Sequence, residues 1–225
     1  MEVIPRRPGQ PSERDKMLQG EYYLPYTLSL ITDRNQCAAA VYRFNQACQN
    51  PALNFAHMDR ERLFREIVNL RPTPDQPEVG SPLPNGAGEE PSVRADAVIP
   101  RGSIGQGCVI EAPFQCDYGY NLNIGSDVVI GPNCRIADTC LVQLGNGVVI
   151  SPGVTLMCST YGVDPKERRK GKGRALGRGI VIEDEAWIGV NCTILPGVRV
   201  GRCSTVGAGS MIHKVRISHC IDDGT

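Results

Sequence analysis

Net charge, aromatic side chains, histidine and long apolar runs are all scarce in this chain. Twenty-four Lys and Arg offset 24 Asp and Glu, which leaves no overall basic field to hold nucleic acid. A 5% aromatic content argues against an aromatic-cored sandwich. No run of 18 apolar residues exists to span a bilayer, and residues 1–20 lack the apolar stretch of a signal peptide. The only histidines are His57, His213 and His219, and the ten cysteines contain no CxxC pair, so zinc chemistry is disfavoured. These absences predict a soluble, cytoplasmic protein with reduced thiols, no metal, no membrane and no nucleic-acid partner.

What the chain does have is glycine, 25 of 225 residues, or about 11% against a usual ~7%. The excess is not uniform. Residues 1–14 read as a disordered start, and residues 15–70 as a small helical cap. Within the cap, Cys37, Ala40, Val41, Phe44 and Cys48 recur at helical steps, with Thr32 or Asp33 as a candidate N-cap. Leu63, Phe64, Ile67 and Val68 form the apolar side of a second helix, opposite Arg60, Glu61, Arg65 and Glu66. Residues 71–97 carry six prolines and almost no large apolar side chain, the composition of an exposed linker.

From residue 98 to 214 aliphatics recur every six positions. Examples are Ile124, Ile130 and Ile136, then Leu144, Ile150 and Leu156, then Ile182, Ile188, Ile194, Val200, Val206 and Ile212. This period marks a parallel β-helix, three short strands to a coil, with each inward aliphatic stacked on the next. Glycine commonly follows the aliphatic, as at Gly105, Gly125, Gly131, Gly145, Gly189, Gly201 and Gly207, where a tight corner is expected. Four positions after the aliphatic comes a small residue, which assigns Cys108, Cys134, Cys140 and Cys192 to corner packing. The register slips by two between Ile136 and Leu144 and breaks from 158 to 179. Insertions in a solenoid leave as loops and commonly build the binding face, so this excursion is the first place to look for function. Residues 215–225 form a C-terminal tail.

Several stretches resemble the maltose and galactoside O-acetyltransferases. They are Lys16-Met17-Leu18-Gln19-Gly20-Glu21-Tyr22-Tyr23, Cys116-Asp117-Tyr118-Gly119-Tyr120-Asn121, Val163-Asp164-Pro165-Lys166-Glu167-Arg168, Ala186-Trp187-Ile188-Gly189 and Val206-Gly207-Ala208-Gly209-Ser210. The resemblance implies an all-β left-handed parallel β-helix of hexapeptide repeats with an N-terminal α-helical cap. It also implies a homotrimer, with acetyl-CoA as co-substrate in a groove between subunits. In that family a histidine in a Thr-His-Pro-x-Asp-Pro run takes the acceptor's proton. This chain reads Thr160-Tyr161-Gly162-Val163-Asp164-Pro165 there. Making a neutral phenol an equivalent base would take roughly 5 kcal/mol of environmental help, so Tyr161 either draws it from the basic loop 166–178 or stays protonated as a donor or acid.

Other positions carried over by the resemblance are mixed. Gly131 stands where the family has an Asn that supports the tetrahedral intermediate, and losing such a donor costs about 2.7–4 kcal/mol. An acceptor-binding Asp falls on Pro25, while Arg34 keeps an acceptor-side arginine and Asp117 a sugar-contacting position. Tyr118, Asn133 and Cys158 complete the candidate acceptor side; Cys158 reads either as inert packing, the favoured reading, or as the foremost candidate for a reactive thiol. Trp187, Gly189, Val190, Ala208 and Gly209 match the pantetheine-lining positions and Lys214 a lysine near the CoA phosphates, whereas the tail departs from the family's nucleotide-holding segment. The expected function is an acetyl-CoA-dependent O-acetyltransferase-like protein acting on a sugar or other small hydroxylated acceptor, with altered or impaired chemistry. One alternative is a repurposed isomerase, lyase or cyclase with Tyr161 as acid and Asp117 or Asp164 as base, although both Asp residues can equally be read as corner and loop caps. The other is a noncatalytic trimeric binding protein.

Overall fold

The computed structural model describes residues 11–49, 57–74, 101–168 and 173–213. Residues 1–10, nearly all of the linker, Lys214, the tail with His219, and positions 169–172 of the basic loop lie outside the described residues.

Helix α1 (Glu13–Gln19) starts two residues before the expected cap boundary because Ser12 and Asp15 form a reciprocal capping box. Gly20, at φ 75°, closes it. Helix α2 (Leu28–Gln49) runs through Thr32 and Asp33, so neither residue caps it, contrary to expectation. Asp33 is instead a buried acceptor, which the sequence pattern hides. Its carboxylate accepts from Arg14 Nη2 at 2.8 Å, from the Tyr120 hydroxyl at 2.8 Å and from the Thr73 amide at 2.8 Å.

Helix α3 (His57–Val68) buries Phe64, Ile67 and Val68. Phe64 sits edge-on between Phe44 of α2 and Phe114 of the first coil, at centroid distances of 5.7 and 5.1 Å. The cap also satisfies backbone groups that have no earlier coil to pair with. The Asn45 side chain exchanges two hydrogen bonds with the backbone of Phe114, and Arg65 donates to the carbonyls of Ile104 and Gly105.

The repeat forms three five-stranded parallel sheets wound into five coils. The first sheet holds strands 103–104, 122–124, 142–144, 180–182 and 199–200. The second holds 109–110, 129–130, 149–150, 187–188 and 205–206, and the third 114–116, 134–137, 155–157, 193–194 and 211–212. Ile104, Ile124, Leu144, Ile182 and Val200 stack in register, as do Ile110, Ile130, Ile150, Ile188 and Val206. All are buried, as the six-residue period requires.

The glycines that follow the aliphatics have a different purpose from the one expected. Gly105, Gly125, Gly131, Gly145 and Gly189 do not adopt positive φ. They are small because the next coil lies against them: a Cβ on Gly145 would stand 2.5 Å from the Asp184 amide nitrogen. The left-handed corner falls three residues after most of the aliphatics, at Gly107, Asp127, Asn133, Gly147, Gly153, Glu185, Asn191, Gly197, Cys203 and Gly209. The cysteines expected at packing positions are there: the thiols of Cys108, Cys134 and Cys192 are buried and donate to the carbonyls of Gly125, Ser151 and Gly207. Cys140 donates to Met17 of α1.

Extra residues all leave from one edge of the prism, where the third sheet hands over to the first. The slip before Leu144 is matched by one of equal size before Leu122, which the hexapeptide reading missed. The long excursion emerges at the same edge one coil later. It forms a hairpin of Ser159–Tyr161 with Ala175–Gly177, and Tyr22–Tyr23 of the cap adds to it as a third antiparallel strand. A short helix, α4 (Pro165–Arg168), sits in the hairpin loop.

Candidate functional site

The site forms where this edge meets the cap. Asp138, at the corner of the second coil, is fully buried. Its carboxylate accepts from the backbone amides of Asp117, Tyr118 and Gly119 at 2.8, 2.9 and 2.7 Å. The Asn121 amide donates to the Asp138 carbonyl at 2.7 Å. One buried side chain thereby shapes the inserted corner above it. Burial, with the neighbouring Asp117 carboxylate, pushes the Asp138 pKa up to about 7 against the amide donors.

Asp117 projects from this corner, three-quarters buried by its surroundings and 3.6 Å from Arg135. Burial raises its pKa, while the Arg135 and Arg34 guanidiniums oppose the shift. Arg34, in the second turn of α2, is clasped between two aromatic rings, 5.8 Å from the Tyr26 centroid and 5.7 Å from that of Tyr118. It donates to the Tyr118 hydroxyl and to the Pro25 carbonyl, both at 2.6 Å.

Tyr161 ends the first hairpin strand and is 40% exposed. Its hydroxyl lies 3.4 Å from that of Tyr26. The Tyr26 hydroxyl, followed by desolvation, pushes the Tyr161 pKa up to about 12, with Arg34 opposing. The cationic help that would turn Tyr161 into a base is therefore outweighed, and at neutral pH the phenol keeps its proton. Tyr26 was missed in the sequence, where no periodicity or motif tied it to a residue 135 positions away.

Several expected site residues are placed elsewhere or otherwise used. Asp164 accepts from the Lys166 amide at 2.8 Å and caps α4, the loop-capping role that an Asx residue in this position can take. Cys158 is completely buried in the core and burial holds its thiol pKa well up, so it offers neither a ligand surface nor a reactive thiolate. Tyr118 is also fully buried and braces Arg34 in place of meeting a ligand. Gly131 and Asn133 sit at another edge, between the second and third sheets. A Cβ at Gly131 would meet Pro152 N at 2.8 Å, and the Gly131 amide is already given to Ile150, so the position supplies no oxyanion donor. Asn133 takes a left-handed φ of 61° and forms the corner.

Trp187, Val190, Ala208 and Gly209 are exposed together on the last two coils. The Trp187 indole is half exposed, and its N–H donates to the Ser151 hydroxyl at 2.9 Å. Gly189 is required by contact: a Cβ there would stand 2.7 Å from the Ala208 amide nitrogen. The outward residues of the second sheet, Val109, Val129, Val149, Trp187 and Thr205, align into one mostly apolar stripe. Lys214 lies outside the described residues. Among the described residues no cluster of His, Cys, Asp and Glu could hold a metal ion, and no helix is long and apolar enough to cross a membrane.

Residues 16–69 match the maltose acetyltransferase hexapeptide capping motif, residues 122–158 the hexapeptide repeat of succinyl-transferase, and residues 179–214 the six-repeat bacterial transferase hexapeptide. Nodulation protein L of Rhizobium leguminosarum bv. viciae is 44% identical over 43% of this chain and 50% of its own length. Galactoside O-acetyltransferase of Lactococcus lactis is 34% identical over 49% of this chain and 53% of its own length. The chain thus spans about half the length of the curated relatives it matches. The hexapeptide-repeat acetyltransferase of Vibrio cholerae O1 biovar eltor, solved with acetyl coenzyme A, shares the fold with a TM-score of 0.67 at 23% identity, over 91% of this chain and 89% of that one. In its cap and in both stretches of repeats the chain is similar to the capped hexapeptide-repeat acetyltransferases, the galactoside O-acetyltransferases among them.

Proposed function

We propose that the chain is an acetyl-CoA-dependent O-acetyltransferase-like protein that receives a small hydroxylated acceptor, a sugar being the first class to test, between its cap and its excursion. Tyr161 there donates a hydrogen bond to the acceptor and does not take its proton. The observation that carries this reading is the Tyr161–Tyr26 hydroxyl pair beside Arg34, which keeps the phenol protonated. Arg34 and Asp117 supply a fixed cation and a partly buried carboxylate at the same corner, suited to orienting hydroxyl groups. Without a base, and with Gly131 in place of an oxyanion donor, transfer is expected to be slow.

The donor side rests on the exposed strip of Trp187, Val190, Ala208 and Gly209, with Lys214 as the expected phosphate contact. A flat indole face and small neighbours suit a narrow, partly apolar arm such as pantetheine. That strip and Tyr161 lie on different edges of one prism, so a site using both needs a second subunit. The apolar stripe from Val129 to Trp187 is of the kind that copies of a chain cover in each other, which supports a homotrimer.

Calorimetric titration with acetyl-CoA, followed by acetyl transfer to a sugar panel, tests the reading. Acetyl-CoA should bind, native transfer should be weak, and Tyr161→His should raise it by ~10²-fold or more, the lower end of what a general base contributes. Absence of acetyl-CoA binding would overturn it. A protonated phenol near a carboxylate of raised pKa also fits acid–base chemistry on a small metabolite, an isomerisation, elimination or cyclisation. If Tyr161→Phe abolishes a reaction that proceeds without acetyl-CoA, that second reading replaces the first.

A further inference from the structure

Two cysteines from distant parts of the chain meet beside the candidate site. Cys37 on α2 and Cys116 at the end of the first coil have their sulfurs 3.4 Å apart, and the Cys37 thiol also points at the Cys116 carbonyl at 3.6 Å. A disulfide has an S–S length of about 2.05 Å, so closure asks each sulfur to move by only about 0.7 Å, within reach of side-chain rotation. We propose that Cys37 and Cys116 form a reversible disulfide that pins the cap helix to the solenoid beside the candidate site.

The placement gives such a bond a consequence. Cys37 lies one helical turn after Arg34, and Cys116 lies two residues before Tyr118. Arg34 already donates to Tyr118 across this junction at 2.6 Å. A covalent link one turn along the same junction holds the guanidinium in register with the corner that carries Asp117. Phe64 of α3 and Asn45, Arg34 and Asp33 of α2 already bridge the cap to the solenoid here, so the link fastens an existing seam and not the interior of one element.

The chemistry balances with a low-molecular-weight disulfide, such as oxidised glutathione, as the oxidant. Cys116 is the more accessible of the two; Cys37 is fully buried. The Cys116 thiolate attacks one reagent sulfur, the reagent's S–S bond breaks, and one reduced glutathione leaves. The Cys37 thiolate then attacks the Cys116 sulfur and expels the second. Two protein thiols are oxidised and one external disulfide is reduced to two thiols. The hydrogen bond with Cys37, followed by burial and the Asp138 and Asp117 carboxylates, holds the Cys116 thiol pKa well up, so the first step is slow at neutral pH and quickens as pH rises.

The test uses the full native chain, incubated with excess oxidised glutathione at mildly alkaline pH. The expected product has lost two hydrogens and carries no glutathione. Peptide mapping should join the Cys37 peptide to the Cys116 peptide, and dithiothreitol should reverse the change. Cys37→Ser should stop at a glutathione adduct on Cys116, which separates failure of closure from failure of attack. Oxidised chain should show slower hydrogen exchange in α2 than reduced chain. A persistent adduct on Cys116 in the native chain, a bond between other cysteines, or no mass change overturns the proposal. None of these readouts depends on which reaction the neighbouring site performs.

Discussion

The hydroxyl of Tyr161 stands 3.4 Å from the hydroxyl of Tyr26, joining a solenoid excursion to the cap across 135 residues of sequence. The pairing depends on the three-stranded sheet in which Tyr22–Tyr23 extends the hairpin. Two protonated phenols can satisfy each other, and where Tyr161 is the donor its ionisation gives up the hydrogen bond it makes to Tyr26.

Removing the partner should therefore make Tyr161 more acidic. In Tyr26→Phe its pKa is expected to fall from about 12 towards the ordinary 10, read as the tyrosinate absorbance that Tyr161→Phe removes. An unchanged titration would mean that the hydroxyl pair does not control the ionisation.

Asp33 is an acceptor buried beside Arg14, with side-chain exposures of 0% and 8%. Asp33→Ala leaves the guanidinium of Arg14 and the hydroxyl of Tyr120 without that acceptor. Loss of a buried partner of this kind costs about 3–5 kcal/mol, and a fall in the urea midpoint without a change in slope would report it. A loss under 1 kcal/mol would place the pair in effect at the surface.

Asp138 links stability to pH. Its folded pKa of about 7 lies above the ordinary 3.8, so the folded state holds the proton more tightly than the unfolded one. That contribution is complete below pH 3.8 and is lost as pH rises through about 7. Asp138→Asn should be less stable than the native chain at acid pH by about 1–3 kcal/mol, since its NH₂ cannot accept from the corner amides, and that deficit should shrink as pH rises through about 7. Its stability should also decline less between those limits than that of the native chain, as measured by denaturation at several pH values.

Two glycines should respond to alanine for different reasons. Gly145→Ala drives a methyl to 2.5 Å from the Asp184 backbone nitrogen and should cost about 1–3 kcal/mol through overpacking. At Gly209 nothing lies within 4 Å of the added methyl, but φ is +71°, so the cost is about 1–2 kcal/mol of backbone strain. Adding the methyl should shift Tm down in both, and Gly145→Ala should loosen hydrogen exchange in the neighbouring coils while Gly209→Ala should not.

Much of the solenoid was legible because its repeat is local. Each inward aliphatic, from Ile104 to Ile212, announces itself at a fixed step, and its environment repeats with it. The glycine after each aliphatic was also visible, yet its reason was not: contact with the next coil, as between Gly145 and Asp184, joins residues far apart in sequence. Asp33 looked like a helix cap because cap residues and buried acceptors have the same side chain. Asp164 could be read two ways, since a loop carboxylate can serve a backbone amide or a substrate equally well, and the amide of Lys166 is the partner it has. Cys158 and Tyr118 sat beside promising neighbours, but burial withdrew both from any ligand.

By itself the sequence determined the coil, the cap and the stretch over which the excursion interrupts the repeat, since hydrophobic period and insertions set how often the chain must turn and where it cannot. Only the tertiary structure decided the chemistry at that edge. Whether Tyr161 keeps its proton depends on Tyr26 and Arg34, and whether Asp117 is oriented depends on Asp138 a full coil away. Proton affinity is set by distance, burial and charge in space, and those quantities come into existence only when cap, hairpin and corner are packed together.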